Sequence, residues 1–529
     1  MDRSLIPRKR EGDKDDGSIR GESEMIKGKP ASGDTACRPS SVSNVTLRWL
    51  LVTTTLFLQN VLAAFKPQAH TQSITNQYLA KETMSLRRFA PAIALGLLLP
   101  CSVIAHAAET PAEHAANVYA TQELAAAPLH GNLPDYSLSP EDLAKSQHLK
   151  AVHVTMHFVD EAWSIVSLLL LLSLGVIAWM RDKAIQVSSN RWTQGYVFLL
   201  LYLIAGFLLS LPLDLYSQHL SLKYGLSVQS WASWFGDQAK AFALTWGIGG
   251  VLLMLLFWII RKLPRSWWLV FWGVSIPIVL FGIFAAPYIE PLFFHYEPLQ
   301  KTNPALVAQL EQVVEKGHMN IPPERMFLMK ASAKLTTLNA DVEGFGASKR
   351  VVVWDTTIAK MRPDEIVFVF GHESGHYVLN HIVLGVLFTI FLLLVSLYAG
   401  YVFVQWAIGK FGSRWGVPSQ SDWAALAVLL LAFSLFGALL EPIENAFSRH
   451  DEHAADVYGQ EAIHGLVANP QATAKEAFDV LGKTSFADPN PSLLYEFWTY
   501  SHPSIGRRAA FAKAYDPWAP GMEPKYFKK

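Results

Sequence analysis

Apolar positions gather into long runs along the chain, and the lengths of these runs govern its reading. Runs at about 162–180, 192–213, 241–260, 267–289, 382–407 and 423–440 each approach or exceed the roughly 20 residues that cross a bilayer as a helix. Six spans are predicted. Trp163, Trp192, Trp267, Trp268, Trp406 and Trp423 fall at or near the run ends, where an amphipathic ring favours the headgroup layer. Between the fourth and fifth runs, and after the sixth, the composition returns to that of a soluble domain. Pro304 there opens an amphipathic helix with Leu306, Leu310, Val313 and Val314 at helical spacing. Phe327 to Met329 and Val351 to Trp354 read as short strands around a loop from Gly344 to Gly346, and Pro363, Asp364 and Glu365 mark a helix start.

The N-terminal region follows a different pattern. Residues 1–46 are polar, mixed in charge and rich in Gly and Ser, a composition that reads as disordered. After an apolar stretch from Leu47 to Phe65, Met84 begins a segment with Arg87 and Arg88, an apolar core from Phe89 to Ile104 and a small-x-small site at Ala105-His106-Ala107. That is the pattern of a secretory signal. Met84 is expected to begin the functional protein, with 1–83 a disordered or mis-assigned extension; the competing reading is a cytoplasmic tail before an uncleaved anchor. The expected organisation is a signal-like segment at 84–107, a linker at 108–160, four spans within 161–289 and two more within 382–440. The catalytic domain is expected in two segments, 290–381 with the HExxH helix and 441–529 after the last span.

Composition agrees with a membrane protein: 51% of residues are hydrophobic and only 17% charged. The formal net charge is zero, so nothing global points to nucleic acid or to an acidic substrate. The two cysteines, Cys37 and Cys101, both lie in the N-terminal region, which excludes a cysteine-ligated metal from the predicted domain.

The chemistry lies in Gly371-His372-Glu373-Ser374-Gly375-His376. Histidines four apart on a helix project from one face and can bind one ion, while Glu373 is rotated by roughly 100° and can activate water. A catalytic zinc takes three protein ligands and keeps an open position. The best supplier of the third is the helix continuing from the sixth span, where Asn445, Arg449, Glu452 and Asp456 recur on one face. Glu452 is expected as the ligand and Asp456 as an acceptor orienting a ligand histidine. His450 and His453 are rivals for the metal.

At these residues the chain resembles the type I CAAX prenyl proteases, the a-factor-converting membrane zinc metalloendopeptidases, in a bacterial member. The resemblance is carried by Pro291-Leu292-Phe293, Glu297-Pro298-Leu299, Asn339-Ala340, Val353-Trp354-Asp355-Thr356, the Gly371–His376 motif, Ser448-Arg449 with Glu452 and Ala455-Asp456, and Tyr500-Ser501-His502-Pro503. It implies an α-helical integral membrane bundle of about six spans with a gluzincin-like α+β zinc protease domain, a helical cage around an intramembrane chamber, and Glu452 as third ligand. It further implies Asn339 on the edge strand that pairs with the substrate backbone, and His502 and Arg508 as the groups facing the oxyanion or the substrate carbonyl. One Zn2+ per chain, peptide or protein substrates with lipid-modified ones among them, membrane lipid and no nucleic acid complete the expectation.

Eukaryotic members of that family have seven spans, whereas a signal-like segment here stands in place of the first. Arg181, Lys183 and Arg191 after the first span and Arg261, Lys262 and Arg265 after the third are cytoplasmic by the positive-inside rule. That puts the catalytic domain on the periplasmic side of a bacterial inner membrane; the family's eukaryotic members work from the cytosolic side, and a cytoplasmic catalytic face is the alternative. The competing functions are a heat-shock-type quality-control protease of membrane proteins and, from another class, a chaperone or transporter with a structural metal. A site-2-type protease lacks its Leu-Asp-Gly counterpart here.

Overall fold

The computed structural model describes residues 109–344 and 349–528. The expected extension, the signal-like segment, both cysteines and Gly346 lie outside the described residues. Among the described residues, six helices are long and apolar enough to cross a bilayer: α2 (Pro140–Ser173), α4 (Arg191–Lys223), α5 (Trp231–Lys262), α6 (Trp267–Ile289), α9 (His381–Trp415) and α10 (Ala425–Ala462). Two further helices precede and follow the first of them, α1 (Pro111–Ala126) and α3 (Val176–Val187). The protein is a multi-pass membrane protein.

α2, α4, α5 and α10 outrun their apolar runs at the end that faces the catalytic domain. α2 begins at Pro140 behind the N-cap Ser139, whose side chain accepts from Asp142 N, and carries His148, Lys150, His153 and His157 before its apolar half. α10 runs through Pro442 without ending and becomes polar there. Buried apolar side chains concentrate at the opposite end of the bundle: Leu168 and Leu172 of α2, Phe198 and Leu203 of α4, Phe257 and Ile260 of α5, Trp267 and Phe271 of α6, Leu397 and Val404 of α9 and Leu426 to Phe433 of α10 form one core. The halves facing the catalytic domain hold few residues of that core and bring His157 Nε2 within 3.2 Å of Glu441 Oε2, just beyond the apolar runs of α2 and α10.

The catalytic domain is built on a four-stranded sheet of order β1-β2-β4-β3, from β1 (Tyr296–Pro298), β2 (Met326–Met329), β3 (Ala340–Glu343) and β4 (Arg350–Trp354). β2 and β4 run parallel with Met326 opposite Val351, and β3 pairs antiparallel with β4, Ala340 opposite Val353. β3 is therefore an outer strand with one side unpaired among the described residues. α7 (Pro304–Lys316) and α8 (Pro363–Val378) bury Leu306, Leu310, Val313, Ile366, Val367 and Phe370 against the sheet. α11 (Pro470–Thr484), α12 (Leu493–Thr499) and α13 (Ile505–Ala514) complete the domain.

The segment expected as a linker is ordered. α1 starts with a Thr110–Glu113 capping box and buries Ala112, Ala116 and Ala120 against Val457 of α10 and Ala510 and Phe511 of α13. Lys525 Nζ reaches Glu113 Oε1 at 2.6 Å, and Lys513 pairs with Asp135. Residues entering the first span thus pack on residues leaving the sixth. An even number of crossings is what allows this contact.

Candidate metal centre

α8 and α10 cross at backbone distance because the crossing is lined by small residues. A Cβ at Gly371 would lie 3.1 Å from Gly459 O, one at Gly375 3.2 Å from Ala455 Cα, and one at Gly459 2.7 Å from His372 N. This approach lets a glutamate on α10 meet two histidines on α8. His372 Nε2 lies 3.2 Å from His376 Nε2, Glu452 Oε2 lies 3.3 Å from His372 Nε2 and Glu452 Oε1 lies 3.4 Å from His376 Nε2. One atom from each of the three fits within 4.8 Å of the others. His450 and His453 stand outside this cluster among the described residues; the His453 ring packs on Phe511 at 4.7 Å.

The donors suit a cation. Asp456 Oδ1 takes the His372 Nδ1 hydrogen at 2.8 Å, and His381 Nδ1 lies 3.1 Å from His376 Nδ1. Both Nε2 atoms therefore turn inward, toward the buried carboxylate of Glu452. Burial opposes the His372 imidazolium, but Asp456 and Glu452 outweigh it and raise that ring to about 10 in the metal-free site. Burial lowers His376.

Glu373 Oε1 is 4.0 Å from His372 Nε2, beside the cluster. Burial pushes its carboxyl up to about 8, with the charges of Asp341 and Glu452 adding to the rise and those of His372 and Arg508 opposing it. Arg508 spends its fork on Asp456, Nε to Oδ2 at 2.8 Å and Nη2 to Oδ1 at 2.7 Å, and Nη2 stands 3.5 Å from Glu452 Oε2. His502 is half-exposed and its Nε2 is 3.0 Å from Glu452 Oε1.

Asn445 and Arg449 share the face of Glu452 but sit farther from the metal cluster. Asn445 donates to Trp498 O at 2.6 Å, and Arg449 donates to the carbonyls of Glu496 and Tyr500 at 3.0 and 2.5 Å, so they fix the end of α12 and the loop that carries His502. Asn339 immediately precedes β3. Its N–H donates to Thr357 Oγ1 at 2.8 Å, and its side chain donates to Asp341 Oδ1 at 2.8 Å. The His381 contact was not legible in the sequence, because His381 lies five residues after His376 and so off its face on any continuous helix.

Residues 117–295 match the family described as CAAX prenyl protease N-terminal, five membrane helices, and residues 300–516 match peptidase family M48. A metalloprotease named YhfN from Bacillus subtilis (strain 168) is 32% identical over 383 residues, which cover 72% of this chain and 87% of the relative. The chain belongs to the CAAX prenyl protease family. As a member of this M48 family it is a membrane metalloendopeptidase. CAAX prenyl protease 1 of Saccharomyces cerevisiae is 28% identical over 337 residues, covering 60% of this chain and 71% of that protein. The crystal structure of S. mikatae Ste24p shares the fold, with a TM-score of 0.63 over 77% of this chain and 99% of that one at 21% identity.

Proposed function

We propose that this CAAX protease family member holds one zinc ion through His372, His376 and Glu452 and hydrolyses extended peptide segments that reach it from the membrane. The observation that carries the metal assignment is the convergence of two imidazole Nε2 atoms and a buried carboxylate, with both Nδ1 atoms already engaged on the far side. When bound, zinc supplies a Lewis acid for the scissile carbonyl. Glu373 takes the proton of the attacking water and returns it to the leaving amine. His502, exposed beside Glu452, donates to the oxygen that gains negative charge, and Arg508 adds positive charge there while holding Asp456. The unpaired side of β3 takes the substrate backbone as an added strand, with Asn339 fixing the start of that strand.

The charge distribution supports a catalytic domain outside a bacterial inner membrane. At the membrane face opposite the catalytic domain lie Arg181, Lys183, Arg191, Arg261, Lys262, Arg265, Lys410 and Arg414 against Asp182 and Asp422. Residues 109–139, on the catalytic side, contain no lysine or arginine. The positive-inside rule then places the catalytic side away from the cytoplasm.

Prenylated peptides are proposed substrates because relatives of this chain are named CAAX prenyl proteases. The test is cleavage by the purified full chain of one peptide with and without a prenyl group, with and without a chelator. Chelator-sensitive cleavage that favours the prenylated form supports the proposal in full. Equal cleavage of both forms, or of unfolded membrane proteins only, supports the quality-control reading instead. Cleavage indifferent to the chelator overturns the metal assignment.

A further inference from the structure

His372 and His376 differ in how their outer ring nitrogens are held. A histidine that offers Nε2 to a metal carries its hydrogen on Nδ1, and an acceptor there fixes both the tautomer and the ring plane. For His372 that acceptor is Asp456 of α10. His376 lies a turn nearer the membrane, and its Nδ1 meets the Nδ1 of His381 at 3.1 Å.

That meeting depends on a break in the chain. On one continuous helix, residues five apart are rotated by roughly 140° from each other and do not touch. α8 instead ends at Val378, Asn380 takes a left-handed φ of 60°, and His381 opens α9. The turn carries the His381 ring back over His376, with centroids 5.1 Å apart and planes at 73°. The far nitrogen, His381 Nε2, faces Asp451 Oδ1 at 3.9 Å. His381 and Asp451 are each only 9% exposed.

We infer that His381 is a positioning residue for the second metal ligand: it accepts the Nδ1 hydrogen of His376 and is itself oriented by Asp451. This rests on His376 being a ligand. Each ligand histidine is then tied to α10, one directly through Asp456 and the other through His381 and Asp451. The two carboxylates flank Glu452 on that helix. The break at Asn380 places the acceptor.

The experiment measures zinc affinity of the full chain in detergent by competition with a chromophoric chelator, beside thermal stability of the metal-free protein. His381→Leu fills the space but cannot accept a hydrogen, and should weaken zinc binding by about 10–100-fold. His381→Asn puts a carbonyl oxygen near the place of Nδ1 and should stay within about threefold of the parent, while Asp451→Asn, acting one step removed, should fall between them. A purely structural role would lower melting temperature in both His381 variants without separating their zinc affinities. If the leucine variant is not recovered, His381→Ala replaces it with the same expectation. Parental zinc affinity in the leucine or alanine variant, or equal loss in the asparagine variant, overturns the inference. His376→Ala serves as the control: if it binds zinc like the parent, the ligand assignment itself falls, and a failure at His381 alone leaves that assignment standing.

Discussion

Replacing Glu373 with glutamine separates chemistry from metal binding. The side chain stands 4.0 Å from His372 Nε2, and the three residues that close within 4.8 Å of one another do not include it. Glutamine matches its size, so the α8–α10 contact and the ligand geometry should persist. An amide cannot take a proton, whereas a carboxylate beside the attacking water can receive one and return it. Losing a positioned general base costs about 10²–10⁴-fold, or about 2.7–5.4 kcal/mol of barrier at roughly 1.36 kcal/mol per tenfold. The loss should appear in kcat, with KM little changed, because Glu373 acts on the reacting water and not on the substrate chain. Metal content by atomic emission, measured on the same preparation as peptide hydrolysis, decides the matter. A Glu373→Gln enzyme that keeps more than about a tenth of parental kcat, or whose activity falls only in proportion to lost metal, would refute the assignment of this residue as base.

Glu452→Gln replaces an anionic donor with a weak neutral one, so metal content and hydrolysis should fall together, while Asp456→Asn should cost about 10–100-fold in metal affinity as an outer partner of His372. His502→Ala should lower kcat/KM by about 10²–10³-fold with metal content unchanged, as expected for a donor to the developing oxyanion; parental activity would remove it from the mechanism. In metal-free protein His372 is raised to about 10, so its proton must leave when metal binds and apparent metal affinity should climb by up to about tenfold per pH unit above pH 7. The same raised value means that the His372 ion pairs stabilise the metal-free protein fully below about pH 6.5 and cease to do so as pH rises through about 10; a metal affinity flat from pH 7 to 9 would contradict both. Gly459→Ala would set a Cβ 2.7 Å from His372 N and 2.9 Å from His372 Cα, which α8 relieves only by moving, at about 1–3 kcal/mol, so melting temperature and metal affinity should both drop.

What could be read from the sequence followed the strength of each physical signal. The spans were legible because nothing but a bilayer requires apolar runs of that length. The central strands were legible because Phe327 to Met329 and Val351 to Trp354 are continuous apolar runs, and they correspond to β2 and β4. The outer strands β1 and β3 were not, since Pro298, Asp341 and Glu343 lack strand propensity and owe their pairing to the strands beside them. α1 was hidden for another reason. Its buried positions, Ala112, Ala116 and Ala120, carry too little apolar surface to produce a periodic signal, so its docking on α13 depends on close approach and on the Lys525–Glu113 and Lys513–Asp135 pairs. The proposed ligands His372, His376 and Glu452 came from spacing on two helices, but the break at Asn380 left no trace in periodicity, and the His381–His376 contact was missed with it.

The same two helices explain why this centre belongs to a membrane protein rather than to a soluble domain attached to one. His372 and His376 sit on α8, which passes within two residues of its end into the span α9. Glu452, Asp451 and Asp456 sit on the last turns of α10, which is itself a span. The two elements that present the proposed metal ligands are therefore fixed at one end by the bilayer and at the other by glycine contacts at Gly371, Gly375 and Gly459. A relative shift of α9 against α10 in the membrane would move the ligand sets against each other, and the backbone contacts leave little slack to absorb it. The packed core of Leu397, Val404, Leu429 and Phe433 between these spans thus holds the proposed metal site in register from the far end of the bundle.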